Sequence, residues 1–345
     1  MARVRVAVIM GGRSSEHDIS VASARSVVDA LDPERYDVRA VEIGQDGRWQ
    51  LEPAAGQGQI GEGGEGGEGG EMLPVPADGS PSPFEGIDVV FPVLHGPFGE
   101  DGTVQGFLEL ADVAYVGAGV TASALCMDKD LFKAVMRDKG VPVVDSVTVL
   151  ERHRDRVENP FGFPVVVKPA RLGSSVGISI VKEPPEIGPA IDLALEHDEK
   201  ILLEEFVVGV EVECSVLGNE EPIASIPGEI VPLSSDWYDF SAKYDEGGME
   251  LVVPPRLDER TIARVQELAV AAFVASDCEG MARVDFFVRE NGEVVVNELN
   301  TIPGFTATSV YAKLFEASGI PYAELLDRLV ELALERRDRR ARLKY

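Results

Sequence analysis

Two acidic residues and an amide within one short segment give the clearest chemical signal in this sequence. The segment 282–300 consists of two β-rich runs separated by Asn291-Gly292. An Asn-Gly pair between such runs predicts a two-residue hairpin turn. The cross-strand pairs that this turn predicts are Glu290 with Glu293, Asp285 with Glu298, and Arg283 with Asn300.

Asp285, Glu298, Asn300 and Arg283 then project from one face of the hairpin, because side chains alternate along a strand. Two carboxylates about 5 Å apart repel by roughly 3 kcal/mol at an effective dielectric constant of 20. A divalent cation removes this repulsion, and carboxylates with an amide oxygen form a hard ligand set suited to Mg²⁺. The spacing alone leaves a second interpretation open, an exposed hairpin whose charges lie in water.

A lysine followed by a small-residue loop predicts an anion site. Lys168 ends the apolar run 163–167, and the segment 171–177 that follows is rich in glycine and serine. Such a loop lets backbone N–H groups approach an anion closely, while the lysine adds a point charge. The spacing is not that of a P-loop, which disfavours a Walker-type ATPase. A glycine-serine turn beside a solvated lysine is the alternative.

Carboxylates at the end of another apolar run predict contacts to a nucleoside. Glu204 and Glu205 end the run 201–205, and Glu211 lies slightly beyond. Acids at a strand end can accept hydrogen bonds from an adenine amino group or a ribose hydroxyl. A solvated sheet edge is the alternative interpretation of this segment.

The elements that must position these residues indicate an α/β protein. A strand over 3–10, a glycine loop, a helix over 16–31 and strands over 37–43 and 87–93 predict a parallel βαβ sheet. Downstream we predict helices at 121–139, 186–197, 258–276 and 321–340, strands at 143–149, 164–168, 177–182 and 201–206, and the hairpin at 282–300.

We predict three units with boundaries near 118 and 208, that is 1–118, 119–208 and 209–345. The first contains an insertion, 56–83, in which 61–71 holds seven glycines and four glutamates. Such a composition cannot bury a core and predicts a flexible loop. The third contains an aromatic-bearing segment, 228–250, which fits a mobile lid that excludes water; a surface loop with its aromatic side chains packed beneath it is the alternative.

Composition excludes several classes of partner. The 345 residues include 60 Asp and Glu and 32 Lys and Arg, a formal net charge of −28. Because nucleic acids and anionic membranes are bound through Lys and Arg, we expect neither as a partner. Three cysteines without metal-ligand spacing indicate no disulfide framework, and no apolar run approaches the roughly 20 residues of a membrane span. We therefore predict a cytoplasmic protein.

Seven segments in chain order resemble the ATP-grasp ligases and, among them, the D-alanine–D-alanine ligase family. They are 11–16, 94–102, 127–129, 167–177, 242–244, 280–285 and 297–306. The resemblance covers nearly the whole chain apart from the insertion and the basic C-terminal tail, 335–345, which holds six Arg and Lys against two acids. It implies a three-domain ATP-grasp fold with an N-terminal Rossmann-like parallel-sheet domain, and ATP held between the central and C-terminal domains.

The resemblance also implies the ligands and their contacts. ATP is the co-substrate, two Mg²⁺ or Mn²⁺ ions assist, D-alanine is the substrate, and the protein is a homodimer. The implied ATP contacts are Lys129, Lys168, Ser175, the adenine-binding residues Glu204, Glu205, Phe206 and Val207, the ribose contact Glu211, and Lys243. The implied metal ligands are Asp285, Glu298 and Asn300, which the hairpin register selects independently.

The implied reaction has two steps, formation of a D-alanyl phosphate with release of ADP and its aminolysis by a second D-alanine with release of phosphate. By resemblance, Glu16 holds the first ammonium group, His95 lies near the first carboxylate, and Ser309 receives the second carboxylate. Arg283 and the backbone N–H of Gly304 are the implied oxyanion donors. Glu16, Ser174 and Tyr244 are the implied hydrogen-bonded catalytic set. Without the resemblance, a helix-dipole role for Glu16 and a structural role for His95 are the simpler interpretations.

Three rival functions are weighed against this one. A D-alanine–D-lactate ligase of the same fold is disfavoured by Lys243-Tyr244. A nucleotide-binding sensor without turnover is disfavoured by Glu16, Arg283 and the metal set. Another ATP-grasp carboxylate–amine ligase is disfavoured by Glu16 together with His95-Gly96.

Overall fold

The computed structural model describes residues 2–14, 16–51, 84–173, 176–233 and 248–344. The predicted flexible insertion and most of the predicted lid lie outside these residues. Within them, no helix has both the length and the apolar character needed to cross a bilayer.

The first sheet has five strands in the order β3-β2-β1-β4-β5. Strand β1 pairs in parallel with β2 and β4, and β4 pairs in parallel with β5, so the predicted parallel βαβ sheet is confirmed. The elements of this part are β1 (Val4–Gly11), α1 (His17–Ala30), β2 (Tyr36–Ile43), β3 (Trp49–Leu51), β4 (Val89–Pro92), α2 (Thr103–Leu110) and β5 (Ala114–Tyr115).

Two further sheets, both antiparallel, follow along the chain. The second has the order β6-β9-β7-β8, and the third runs β13-β12-β10-β14-β15 with β11 paired to β10. The elements up to the end of the second sheet are α3 (Val120–Met127), α4 (Lys129–Asp138), β6 (Ser146–Leu150), β7 (Val165–Pro169), β8 (Ser179–Val181), α5 (Ile187–Leu195) and β9 (Lys200–Glu205). Those beyond it are β10 (Gly209–Gly218), β11 (Ile223–Ala224), β12 (Gly228–Pro232), β13 (Met249–Val252), α6 (Glu259–Ala275), β14 (Gly280–Arg289), β15 (Val294–Asn300), α7 (Val310–Ala317) and α8 (Tyr322–Arg340).

The single helix predicted over 121–139 is wrong, because α3 and α4 are separated at Asp128. This residue is extended (φ −89°, ψ 94°), and its carboxylate accepts the backbone N–H of Leu131 as an N-cap. Lys200 on β9 also donates to the Asp128 carboxylate, at 2.7 Å. An aspartate that caps a new helix satisfies N–H groups that a continuous helix would bond internally. The break places Lys129 in the first turn of α4.

The segment after the predicted boundary at 118 packs against the third sheet. Phe132 and Met136 of α4 share a core with Phe273 of α6 and with Val284 and Phe286 of β14. The two domain boundaries remain a prediction, but the buried apolar side chains of α3 and α4 pack in the core of the third sheet rather than in that of the second.

Helix α8 packs beside α1 on one face of the first sheet. Leu326, Leu329 and Val330 belong to the same core as Val8 of β1 and Phe91 of β4. The basic C-terminal tail is partly explained by this contact. Its arginines pair with acids of other elements, Arg339 with Glu279 and Arg340 with Glu109.

Arg336 of α8 is a buried cation whose removal we expect to destabilise the fold. Its guanidinium donates to the carbonyl oxygens of Tyr115, at 2.7 Å, and Gly117, and lies 4.2 Å from the centre of the Tyr115 ring. Arg336→Met leaves both carbonyls without this donor, and each unsatisfied buried acceptor costs about 1–3 kcal/mol. Urea unfolding should show a loss of about 2–4 kcal/mol. Arg328→Met, at a partly exposed arginine of the same helix, is the matched control and should stay within about 0.5 kcal/mol of wild type; equal losses would contradict the prediction.

Candidate active site

The β14–β15 hairpin carries the predicted metal ligands in the predicted register. Asp285 lies opposite Glu298, and Arg283 lies opposite Asn300. These cross-strand pairs are confirmed, although the turn that predicted them is not the one observed.

The predicted two-residue turn is wrong, because the loop contains a third residue. The backbone N–H of Arg289 donates to the carbonyl of Glu293 at 2.9 Å, so Glu290 does not pair with Glu293. Gly292 has φ +82°, the left-handed conformation that ends a three-residue hairpin loop. A β-bulge in β15 then compensates, since Phe286 pairs with Val296 while Asp285 pairs with Glu298. The extra loop residue and the bulge cancel, which restores the register at the site.

Two adjoining cavities, of about 410 and 500 Å³, meet beside this hairpin. Lys129, Gly173 and Glu298 line both of them. The smaller cavity collects the predicted amino-acid-binding and oxyanion residues, namely Glu16, His95, Arg283, Gly304 and Ser309, together with Asn300. The larger collects the described nucleotide contacts, namely Lys168, Glu204, Glu205, Phe206, Val207 and Glu211. The predicted residues that line a cavity therefore form two groups that meet at Lys129 and Glu298, whereas Asp285 is buried and lines neither cavity.

Cationic side chains neutralise the facing carboxylates of the hairpin. Arg283 donates to both oxygens of Asp285, at 2.7 and 2.8 Å, and Asn300 Nδ2 donates to Asp285 Oδ2 at 3.0 Å. Lys129 Nζ lies 3.3 Å from Glu298 Oε2 and donates to the carbonyl of Leu172 at 2.8 Å. The repulsion expected between the two acids is thus relieved by an arginine and a lysine.

The side chains of Asp285, Glu298 and Asn300 are chemically suited to bind a divalent metal. No cluster of three or more His, Cys, Asp and Glu side chains suited to a metal occurs in the described part of the chain. Asp285 and Glu298 supply two carboxylates, and Asn300 supplies an amide. Such a short oxygen set suits Mg²⁺, which takes few protein ligands and completes its shell with water and substrate phosphates.

Arg283 has a second acidic partner that the sequence analysis missed. Its Nε lies 2.9 Å from Glu213 Oε2, and Glu213 is 1% exposed. Glu213 lies on β10 directly opposite Asp285. The alternation of Glu211 and Glu213 along one strand is a signal that could have revealed it.

Lys168 is part of a buried cluster of three charges. Its Nζ lies 2.6 Å from Glu204 Oε2, while Lys133 Nζ pairs with Glu204 Oε1 and donates to the carbonyl of Val144 at 3.2 Å. Burial alone would raise the pKa of Glu204, but the charges and hydrogen bonds of Lys133 and Lys168 outweigh it and hold that pKa below its ordinary value. Lys133 was missed by the sequence analysis, although its spacing of four from Lys129 places both on one helix face.

The neighbouring carboxylate, that of Glu205, makes contacts within the protein. It accepts the backbone N–H of Asp145 at 3.1 Å and pairs with Arg289 of the hairpin. This contact joins β9 to β14 beside the larger cavity. Its part in adenine binding stays a prediction, as do those of Phe206 and Val207.

Glu16 and His95 lie together with a third titratable group, Glu100. His95 Nδ1 donates to the carbonyl of Ile302 at 3.0 Å and lies 3.7 Å from Glu100 Oε1. Burial lowers the pKa of His95, but the hydrogen bond and charge of Glu100 and the charge of Glu16 raise it by more, so the pKa lies above its ordinary value. Burial raises the pKa of Glu100, and the charge of Glu16 adds to this.

Gly96 permits the close approach of Glu16 to this loop. It has φ +73°, and a Cβ at this position would lie 2.9 Å from Glu16 Oε2. Glu16 makes no side-chain capping hydrogen bond at the start of α1. Its carboxylate is buried and lines the smaller cavity, an arrangement that favours the binding interpretation over the helix-dipole one.

Ser309 and Gly304 lie side by side at the opposite wall. Ser309 precedes α7, and its Oγ accepts the backbone N–H of Thr306 at 3.0 Å. A Cβ on Gly304 would lie 3.3 Å from that oxygen, so the loop holds the backbone of Gly304 against Ser309. Four other predicted residues, Ser174, Ser175, Lys243 and Tyr244, lie outside the described residues.

Comparisons with known proteins agree with this arrangement. The family model described as D-ala D-ala ligase N-terminus matches residues 5–118, and the one described as D-ala D-ala ligase C-terminus matches residues 135–331. A D-alanine–D-alanine ligase from Oceanobacillus iheyensis is 41% identical over 358 residues, covering 99% of this chain and 98% of the relative.

Solved structures show the same likeness in three dimensions. The D-alanine–D-alanine ligase from Coxiella burnetii is 36% identical with a TM-score of 0.81, covering 99% of this chain and 97% of its own. The VanG D-Ala:D-Ser ligase from Enterococcus faecalis is 34% identical with a TM-score of 0.82, and the match covers 96% of this chain and 100% of that ligase chain. The predicted α/β fold of the ATP-grasp type is confirmed by these likenesses.

Proposed function

The chain belongs to the D-alanine–D-alanine ligase family, and we propose that its two cavities divide the work of that reaction. The protein is an enzyme that uses ATP to join two D-alanines for peptidoglycan synthesis. The observation that carries the proposal is the meeting of the cavities at Lys129 and Glu298. A reaction that moves a phosphoryl group from a nucleotide to an amino acid needs such a junction.

The larger cavity is the proposed nucleotide site. Lys168 and Lys129 line this cavity, and Lys129 also lines the smaller one at the junction, where the triphosphate must reach the amino acid. Phosphoryl transfer needs alignment and charge neutralisation more than covalent catalysis. Glu211, on the wall of this cavity, is the proposed ribose contact.

The smaller cavity is the proposed amino-acid site. The Glu16 carboxylate suits the ammonium group of the first D-alanine, and His95 suits its carboxylate. His95 Nε2 is buried and has no hydrogen-bond partner among the described residues, and the raised pKa of the ring favours its charged, donating form. Ser309 is the proposed contact of the second carboxylate.

The two chemical steps then follow at the junction. A carboxylate oxygen of the first D-alanine attacks the γ-phosphorus of ATP, ADP leaves, and a D-alanyl phosphate forms. The amine of the second D-alanine attacks the carbonyl carbon of this acyl phosphate, phosphate leaves, and the amine releases a proton. Negative charge develops on the carbonyl oxygen, and the guanidinium of Arg283 with the backbone N–H of Gly304 would stabilise it.

Asp285, Glu298 and Asn300 would hold Mg²⁺ or Mn²⁺. We propose two such ions when ATP is bound. Bound metal supplies positive charge to the phosphate oxygens. Arg283 keeps Glu213 as a partner if Asp285 turns to a metal, so its guanidinium stays in place.

The remaining parts of the proposal rest on the family. Ser174 and Ser175 would close over the phosphates, Lys243 would reach ATP, and Tyr244 would complete the set with Glu16 and Ser174. We also propose a cytoplasmic homodimer. The three cysteines are free thiols, as expected of a protein in a reducing compartment.

Phosphate release tests this function directly. We expect it to require ATP, Mg²⁺ and D-alanine together, and to yield D-alanyl-D-alanine. Because a D-Ala:D-Ser ligase has the same fold, D-serine and D-lactate should be offered as second substrates at neutral pH. Turnover with L-alanine but not D-alanine would contradict the proposal, and a preference for D-lactate or D-serine would reassign the second substrate.

A further inference from the structure

Lys133 is a lysine without solvent exposure that lies behind the nucleotide cavity. Its side chain is 0% exposed and does not line the cavity. Two residues that line the cavity contact it, Val144, whose carbonyl accepts a hydrogen bond from Lys133, and Glu204, whose other carboxylate oxygen binds Lys168. Lys168 also donates to Asn297 Oδ1 at 3.4 Å, across the cavity on β15. The three charges form a chain that runs from α4 through β9 to β7 and ends at the proposed phosphate site.

The charge balance of this cluster indicates a role for Lys133. One carboxylate faces two ammonium groups, so the cluster carries one net positive charge. With Lys168 as its only partner, Glu204 would neutralise the cation that must meet the phosphates. With Lys133 present, the carboxylate is already compensated and the charge of Lys168 is left for a ligand.

A buried excess of positive charge is unfavourable unless an anion balances it. Burial lowers the pKa of Lys133 to about 8, with Lys168 and Arg137 adding repulsion and Glu204 opposing it. A nucleotide polyphosphate in the larger cavity would supply the missing negative charge beside Lys168. Because the nucleotide would balance the excess positive charge of the cluster, that excess favours nucleotide binding.

We propose that Lys133 is a positioning residue for ATP binding. Its charge compensates that of Glu204, so that the charge of Lys168 remains available to the phosphates. The inference rests on the proposed assignment of ATP to the larger cavity. It concerns binding of the nucleotide and not the transfer step, because Lys133 touches neither cavity.

The test compares Lys133→Met with Lys133→Arg in the full-length enzyme. Calorimetric titration with MgADP and the KM for MgATP should both show binding weaker by on the order of tenfold or more in Lys133→Met. The KM for D-alanine should stay within about threefold of wild type, and Lys133→Arg, which keeps the charge, should recover most of the nucleotide affinity. Unchanged nucleotide affinity in Lys133→Met, or no recovery in Lys133→Arg, would overturn the inference.

A double variant separates charge compensation from packing and remains informative if Lys133→Met fails to fold. In the Glu204→Gln background no carboxylate needs compensation, so adding Lys133→Met should change MgADP affinity by less than about threefold. A further tenfold loss in that background would mean that Lys133 acts through packing, and the inference would be wrong. Wild-type enzyme that lacks ATP-dependent D-alanine turnover would instead contradict the proposed function, so the two failures are distinguishable.

Discussion

Replacing Arg283 by methionine is expected to reduce kcat by on the order of 10²–10³, the loss measured when one oxyanion donor is removed. Arg283 lines the amino-acid cavity and not the nucleotide cavity. We therefore expect the KM for ATP to change little. Phosphate release at saturating D-alanine measures the effect.

The buried Glu213 complicates this variant and also supplies its control. Loss of Arg283 removes the guanidinium that lies 2.9 Å from the Glu213 carboxylate, and removal of one partner of a buried ion pair costs about 3–5 kcal/mol. The comparison should therefore be made between Glu213→Gln and the double variant Glu213→Gln/Arg283→Met, with thermal unfolding measured for both. If the double variant keeps kcat within tenfold of Glu213→Gln, the proposed oxyanion role is wrong.

Asp285→Asn and Glu298→Gln are each expected to lower kcat/KM by on the order of 10²–10³ at a fixed low Mg²⁺ concentration. Each change keeps the shape of the side chain but removes a negative charge that a divalent cation needs. The Mg²⁺ concentration for half-maximal activity should rise. Titration of Mn²⁺ by electron paramagnetic resonance, with ADP present, should show weaker binding without any turnover.

Glu293→Gln is the matched control on the same hairpin. Glu293 is half exposed and pairs with Arg289 at 3.3 Å, far along the strand from the facing acids. Its removal should leave the Mg²⁺ titration unchanged. Wild-type rates for both Asp285→Asn and Glu298→Gln over the whole titration would refute the metal assignment.

The alternation of side chains along the strands and the cross-strand pairing predicted which residues share a face of the hairpin. They did not predict the length of the loop or the bulge. Asp285 lies opposite Glu298 as predicted, yet through a three-residue loop and a bulge rather than a two-residue turn. An Asn-Gly pair is compatible with both loops, because Gly292 can adopt a positive φ in either. The bulge has no local sequence signal, since it depends on how β15 packs beside β14.

Contacts between distant segments were the part that sequence could not supply. Lys133, Glu204 and Lys168 come from three elements that are adjacent only in the folded chain. The break at Asp128 combines a local N-cap with a tertiary contact, because Lys200 of β9 also donates to the Asp128 carboxylate. Single-sequence patterns report local preferences, whereas these features depend on tertiary partners.

The docking of α8 on the first sheet has a consequence for biosynthesis. About 200 residues separate β5 from α8, and ribosomes add about 5–20 residues per second. The part of the sheet face that α8 covers beside α1 is therefore exposed for roughly 10–40 s before α8 is made. Nascent chains stalled before residue 322 should bind hydrophobic-surface chaperones, and those stalled well beyond residue 340 should release them.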